Sequence, residues 1–424
     1  MRTLGILALL AISPLAVAQN PGKCTSNRVR RSAHSLSPSD WERIGHVLSQ
    51  MHDAGHVDRF ARAHQALFES VHGSTTFFPF HRRFVQEFED IGRQIDPGFT
   101  VPYWDSTRDY EDPASSPILS SGTLGGNGQG PDMCLPDGIQ GGWTMGFPGR
   151  HCLRRDYRDG DTMEPWVPAE LISSYIQSDD QIADFREHIE YGIHGAVHLG
   201  LGGDAATRFA PNDFFFFMHH ANIDRLWWLW QNSNHDPLDY NGPGTNGEAS
   251  LSDVIPQNND VSFDGARVDS VMVLGYGPAC YTYDSAPNAP SKYPGSSDGP
   301  DRPNRIIHHQ PAVFSGSSNS AGFGLEVARI HRALDQDPAL KEYFPGVAAL
   351  GSSRVAGGYD SRPVDKCQQE ATAYPARRLV HPAPMTDEWI RMHGFDPARV
   401  ERLYNDGCML IDRLNNSTYV SPYL

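Results

Sequence analysis

Apolar positions in this chain recur mostly at three- and four-residue intervals, the spacing of one face of an α-helix. Ser37-Pro38-Ser39-Asp40 places a capping serine before a proline at the first helical position, and Trp41, Ile44, Leu48 and Met51 then follow on one face. The same pattern predicts a second helix from about Asp58 through His64. A third starts near Pro79, with Phe80, Phe84, Phe88, Ile91 and Ile95 as its apolar stripe. Helical spacing returns at Pro168–Ile176, Gln181–Leu199 and Asn212–Gln231, and again at Phe323–Leu334 and Asp396–Leu414. Between these blocks, Gly122–Gly149 reads as an ordered surface loop rich in Gly and Pro, and Asp284–Asn304 has the composition of a linker or long loop. Runs of strand type, such as Ser270–Leu274, are few and short. The expected fold is mainly α, with long loops and a few short strands.

Composition narrows this further. A length of 424 residues at 39% hydrophobic content is enough to bury a large core. Met1-Arg2, the apolar run Leu4–Leu15 and then Ala16-Val17-Ala18 form the three zones of a secretory leader, with cleavage expected after Ala18. That run is shorter than the ~20 residues a membrane span needs, so a secreted, extracellular protein without a membrane partner is expected. With 51 acidic against 35 basic side chains the formal charge is −16, which repels nucleic acid but leaves small neutral or cationic substrates open. Six cysteines in a secreted chain suggest up to three disulfides. Cys134 and Cys152 flank one Gly-rich loop and are expected to clip it, whereas Cys24, Cys280, Cys367 and Cys408 could join in any order. Asn415-Asn416-Ser417-Thr418 holds two overlapping glycosylation sequons.

Nineteen histidines invite a metal reading, and spacing separates the useful ones from the rest. His194 and His198 lie four apart, so on a helix both rings leave one face and can share an ion. His52 and His56 have the same spacing, so spacing alone decides nothing. His219 and His220 sit between Phe214-Phe215-Phe216-Phe217-Met218 and Ala221-Asn222-Ile223-Asp224-Arg225-Leu226-Trp227-Trp228, where unpartnered imidazoles are costly. Adjacent helical residues point about 100° apart, so one of the two is expected to face the ion and the other to take a structural hydrogen bond. A third group is His64, His72 and His81. Eight residues of helix span about 12 Å, so His64 and His72 can share an ion only if the helix breaks, and Gly73 supplies a place for the break.

These segments resemble the tyrosinase, catechol oxidase and haemocyanin family of type 3 copper proteins. Phe77-Phe78-Pro79-Phe80-His81-Arg82-Arg83-Phe84 through Phe88-Glu89 is similar to the family's first copper segment. His194 to His198, followed by Asn212-Asp213 and Phe216 to Trp227, is similar to its second. Pro102-Tyr103-Trp104-Asp105 and Tyr281-Thr282-Tyr283 match further family segments, in order, over roughly Arg28 to Tyr283. The resemblance implies a four-helix bundle holding two copper ions per chain, the first on His64, His72 and His81 and the second on His194, His198 and His220, with His219 left out. It implies that Asp224 orients a ligand imidazole and that Phe216 packs against the metal pair. The implied reaction is oxidation of o-diphenols to o-quinones with O2 reduced to water, on small phenolic substrates and with no organic cofactor.

Three departures from the family refine the expectation. No cysteine lies between Cys24 and Cys134, so the thioether found in many members is absent. Members that hydroxylate monophenols often carry Asn after the first histidine of the second site, where this chain has Gly195, and Leu199 offers no polar group either. Glu190, an acidic residue upstream, lies only four before His194. Gly195, Leu199 and Glu190 are therefore the substrate-side positions of interest, and the chain looks like a short fungal-type catechol oxidase, with o-aminophenols as further substrates. The alternatives are a tyrosinase with monophenol hydroxylase activity and a haemocyanin-like oxygen carrier. A zinc hydrolase is disfavoured because no His-Glu-x-x-His motif is present. The expected organisation is a signal peptide at 1–18, a dicopper catalytic domain at 19–283, a linker or long loop at 284–304 and a helical C-terminal extension at 305–424.

Overall fold

The computed structural model describes residues 21–233, 235–244, 247–285, 321–349 and 378–421. The expected leader, most of the expected linker and Cys367 lie outside the described residues. The first helix, α1 (Pro38–Asp53), opens as its sequence dictates: the Ser37 side chain accepts from Asp40 N–H and the Asp40 carboxylate accepts from Ser37 N–H. It is followed by α2 (His56–Val71), α3 (Phe77–Ile95), α4 (Ala169–Ser178), α5 (Ile182–Ile189), α6 (Gly195–Leu201) and α7 (Phe215–Gln231). Between α5 and α6 the helix does not break but widens into a π turn at Glu190–His194.

The histidine-bearing helices α2, α3, the α5–α6 run and α7 form the bundle, with α1 packed on α2 and α3, and α4 packed on α5 and α7. Every residue of α7 is buried, as befits the central helix of a bundle rather than an amphipathic surface one. Its aromatic side chains fill the middle: the Phe217 ring lies 3.6 Å from Phe88 and 5.6 Å from Phe60. The described residues form three two-stranded sheets, one of which pairs Arg28–Arg30 in parallel with Tyr281–Tyr283. Beside it, Cys24 is joined to Cys280, and Cys134 is joined to Cys152 as the loop composition suggested. The expected strand at Ser270–Leu274 is absent: Val268–Val271 is a 3₁₀ turn instead. The carbonyls of Val271 and Met272 turn inward to accept from the buried Arg82, which takes the place of a strand partner.

Beyond residue 320 come α8 (Ala321–Gln336), α9 (Leu340–Tyr343), α10 (Pro345–Ala348), α11 (Asp387–His393) and α12 (Pro397–Asn415). Residues 378–421 lie back on the bundle. Arg399 pairs with Glu187 of α5 at 2.7 Å, and Tyr419 donates to the buried Glu170 of α4 at 2.8 Å. A second apolar cluster, Trp389, Ile390, Phe395 and Val400, forms where this segment meets Tyr191 and Leu199. The Asn415 amide is already spent on Leu379, holding its N–H and carbonyl at 2.9 and 2.8 Å. No described helix is long and apolar enough to cross a membrane.

Candidate metal centre

Helix α2 stops at Val71, His72 takes an extended conformation, and Gly73 adopts φ +64°, the left-handed region that favours glycine. The chain therefore reverses, and the His72 ring returns to within 5.2 Å of His64 and 5.1 Å of His81. On the other side, the π turn delivers His194 and the following turn His198, with their rings 4.7 Å apart.

Within each of two buried sets, His64, His72 and His81, and His194, His198 and His219, one ring nitrogen per residue lies within 4.8 Å of the others. Five of these rings are tethered alike. Nδ1 of His64 bonds the Arg208 carbonyl at 2.8 Å, His72 that of Phe68 at 2.9 Å, and His81 that of Phe77 at 2.8 Å. His194 bonds the Glu190 carbonyl at 3.3 Å and His198 that of Ala205 at 2.6 Å. A carbonyl only accepts, so Nδ1 carries the proton and the lone pair is left on Nε2. Nε2 of His64 faces Nε2 of His81 at 3.4 Å, and Nε2 of His194 and of His198 is buried without a partner. Facing lone pairs and unpaired buried nitrogens are unfavourable alone and are what a cation would satisfy. Burial also keeps the rings neutral, the form that binds metal, holding His64 down at about 3 and His198 at about 4. All-imidazole donor sets of this kind suit copper.

The α7 pair departs from expectation. His219, not His220, brings a nitrogen into the second set, while the His220 ring lies flat on His81 at 4.0 Å. No ring nitrogen of His220 meets a hydrogen-bond partner. Because α7 runs between α3 and α6, both of its successive rings reach the centre. His219 meets only the rings of His194 and His198 among the other five, whereas His220 meets His81, His194 and His198.

Asp224 needs correction as well. It touches no imidazole. One oxygen takes Arg82, and the other takes the hydroxyls of Tyr281 and Tyr283 with Arg30 at 3.5 Å. Arg82 is the neighbour of His81 and stacks on Trp227 at 3.7 Å, so Asp224 fixes α3 against α7, and backbone carbonyls do the orienting of the rings. The Phe216 ring lies 4.3 Å from that of His220 and 4.9 Å from that of His64.

Two of the three substrate-side positions, Glu190 and Gly195, are occupied by protein contacts. Glu190 is buried beside Arg186; burial pushes its carboxyl up to about 7, and both oxygens are engaged, with Gly73 N–H at 2.8 Å and Arg186 Nη1 at 2.6 Å. A β-carbon on Gly195 would stand 2.3 Å from Cε of Met385 and 3.0 Å from Nε1 of Trp389. Leu199, partly buried, packs against the cluster of Trp389 and Ile390 and also lines a cavity with Tyr191, Ala196 and Met385. The residues that cover Gly195, Met385 and Trp389, went unread in the sequence, as did His393, whose ring lies 5.0 Å from that of His72. Trp389 and His393 lie four apart, the very spacing that marked His194 and His198.

Comparison with known proteins agrees with this geometry. The common central domain of tyrosinase matches residues 46–233. A tyrosinase, ustQ, of Aspergillus flavus is 32% identical over 292 residues, covering 61% of this chain and 80% of its own. The tyrosinase of Streptomyces antibioticus is 30% identical over 259 residues, covering 55% of this chain and 94% of its own. Among solved structures, a single-residue variant of a polyphenol oxidase from Thermothelomyces thermophila superposes with a TM-score of 0.51 at 21% identity, over 62% of this chain and 90% of that one, a likeness of fold.

Proposed function

The chain belongs to the tyrosinase family of type 3 copper proteins, and from that premise we propose that it is a secreted enzyme that oxidises o-diphenols, and o-aminophenols, to the corresponding quinones, with weak or no hydroxylation of monophenols. It is a copper oxidoreductase acting on phenols with O2, and it binds two copper ions per chain. Two coppers held this way supply a pair of one-electron centres that together take two electrons from a diphenol and pass them to O2.

The chain's own part is to hold neutral imidazoles by their Nδ1 protons, to keep water out with Phe216, and to fix α3 against α7 through Asp224. We assign the metals to His64, His72 and His81, and to His194, His198 and His220. His220 is favoured over His219 because it is the residue the family resemblance assigns and it alone of the pair touches rings of both sets.

The observation that carries the preference for diphenols is the filled space at Gly195. A monophenol, with a pKa of about 10, needs a base to remove its proton, whereas a catechol loses one readily on binding metal. No amide stands at Gly195 to hold a water, and the oxygens of Glu190 are already bonded. The test is kcat/KM on catechol, tyrosine and 2-aminophenol in parallel at matched copper content. Catechol and 2-aminophenol should be turned over and tyrosine hardly at all; tyrosine hydroxylation at a rate comparable to catechol oxidation would overturn the preference.

A further inference from the structure

The five ring tethers fall into two kinds. His72, His81 and His194 bond carbonyls four residues back in their own segments, at Phe68, Phe77 and Glu190. His64 and His198, one from each metal set, instead bond carbonyls of the short run that joins α6 to α7. Arg208 holds His64 at 2.8 Å and Ala205 holds His198 at 2.6 Å. One run of backbone therefore aims a ring of each set. It is not a regular helix that keeps its own shape: it consists of two 3₁₀ turns, Gly203–Ala206 and Ala210–Asn212, entered through Gly203 at φ +53°. Two such short turns need outside support to hold a carbonyl in one direction.

Asp204, fully buried, supplies that support. Its N–H donates to the Arg154 carbonyl at 3.0 Å, and its own carbonyl accepts from the N–H and hydroxyl of Thr207 at 3.2 and 2.7 Å. Its carboxylate joins the two turns to each other and to the neighbouring loop. Oδ2 takes the Asn212 amide at 3.0 Å and Nε2 of His151 at 2.7 Å, and Oδ1 takes Nε of Arg154 at 3.1 Å. The Ala205 and Arg208 carbonyls thus lie between two residues, Asp204 and Asn212, that one carboxylate ties together. A carboxylate only accepts, so His151 donates here. His151 and Arg154 flank Cys152, which is bonded to Cys134, so the donors stand on a covalently clipped loop. Backbone carbonyls orient the rings, and we propose that Asp204 is the positioning residue behind two of them, setting Nε2 of His64 toward one metal and Nε2 of His198 toward the other. This rests on the dicopper reading above. A buried carboxylate could serve the fold alone, so what distinguishes the proposal is an effect confined to these two rings.

The experiment uses the full chain loaded with copper(I), which is diamagnetic, and isotope-labelled at its histidine nitrogens. It compares wild type, Asp204→Asn and His151→Phe. Nuclear magnetic resonance follows each Nδ1–H, assigned by single substitution, and copper retained against a competing chelator is measured in the same samples. The His64 and His198 signals should shift together, while those of His72, His81 and His194, tethered within their own segments, stay in place. Both coppers should be held about 10- to 100-fold less tightly, the usual effect of losing a group that orients a ligand. A shift of His198 alone overturns the shared anchor. Movement of all five signals overturns positioning and leaves Asp204 a general core contact, and no movement in the variants that fold overturns it outright, as does copper held as tightly as in wild type. The His151 side chain is 18% exposed, so His151→Phe decides the question if Asp204→Asn fails to fold. A wild-type chain that takes up no copper overturns the dicopper reading and this inference together, and the metal analysis tells that outcome apart.

Discussion

At the level of single residues, what decides the site is which ring nitrogen each histidine keeps for metal. Spacing in the sequence revealed His194 and His198, and the need for a break at Gly73 revealed how His72 could rejoin His64. The ring tethers were not legible, because they run to backbone carbonyls that no side-chain pattern announces. For the same reason Asp224, the nearest acid, looked like the orienting group and is not. Removing a ligand should remove its ion, since two imidazoles cannot hold copper as three do. His198→Ala and His220→Ala should each fall from two coppers to one and lose oxidation, while His219→Ala and His56→Ala keep both, as read by elemental analysis. A copper lost from His219→Ala and kept in His220→Ala would reverse the assignment on α7. Gly195→Asn alone should leave the ratio of tyrosine to catechol kcat/KM unchanged, because its amide would meet Met385 and the unpartnered Trp389 Nε1–H rather than water. Coupled with Met385→Ala it should raise the ratio. A rise in the single variant would mean that the cover at Gly195 yields more readily than its packing indicates.

At the level of elements, the helices were legible because capping and the 3.6-residue period are local: Ser37-Pro38 starts α1, and Asp396-Pro397 starts α12. The π turn at Glu190–His194 was not legible, since one extra residue per turn leaves the apolar pattern almost intact while re-aiming a ring. Nor was the turn at Val268–Val271, which depends on Arg82 arriving from α3. The contact between α3 and α7 depends on Asp224, which is buried with Arg82, Arg30, Tyr281 and Tyr283. Deleting one side of such a network strands the other charges. Asp224→Ala should therefore cost about 3–5 kcal/mol in urea unfolding. A loss below about 1 kcal/mol, the range of exposed pairs, would show that the network does not hold the bundle.

Over the whole molecule, the sequence revealed a helical tail but not its position over the metal centre, because Met385, Trp389 and His393 are read as core or surface until their neighbours are known. Folding brings a set of neutral histidines into one dry space, and this has a pH consequence. Burial lowers His64 to about 3 and His198 to about 4 from an ordinary 6.5, and it lowers His72, His81, His194, His219 and His220 as well. The unfolded chain therefore takes up protons first as pH falls. This part of the stability is fully present above about 6.5 and is lost progressively below it. The urea midpoint of the metal-free chain should drop between pH 6.5 and 5, above the usual carboxylate range, each histidine contributing up to about 1.4 kcal/mol per pH unit. A midpoint flat across that interval would contradict the burial of neutral rings.

The central claim is that this dicopper centre turns over diphenols rather than storing oxygen. The most direct test is O2 uptake by the copper-loaded full chain with catechol present, with quinone counted in the same cuvette. Two catechols oxidised for each O2 consumed, through many turnovers, is the result expected. Oxygen bound in proportion to protein, with the catechol left unchanged, would contradict it and make the chain a carrier.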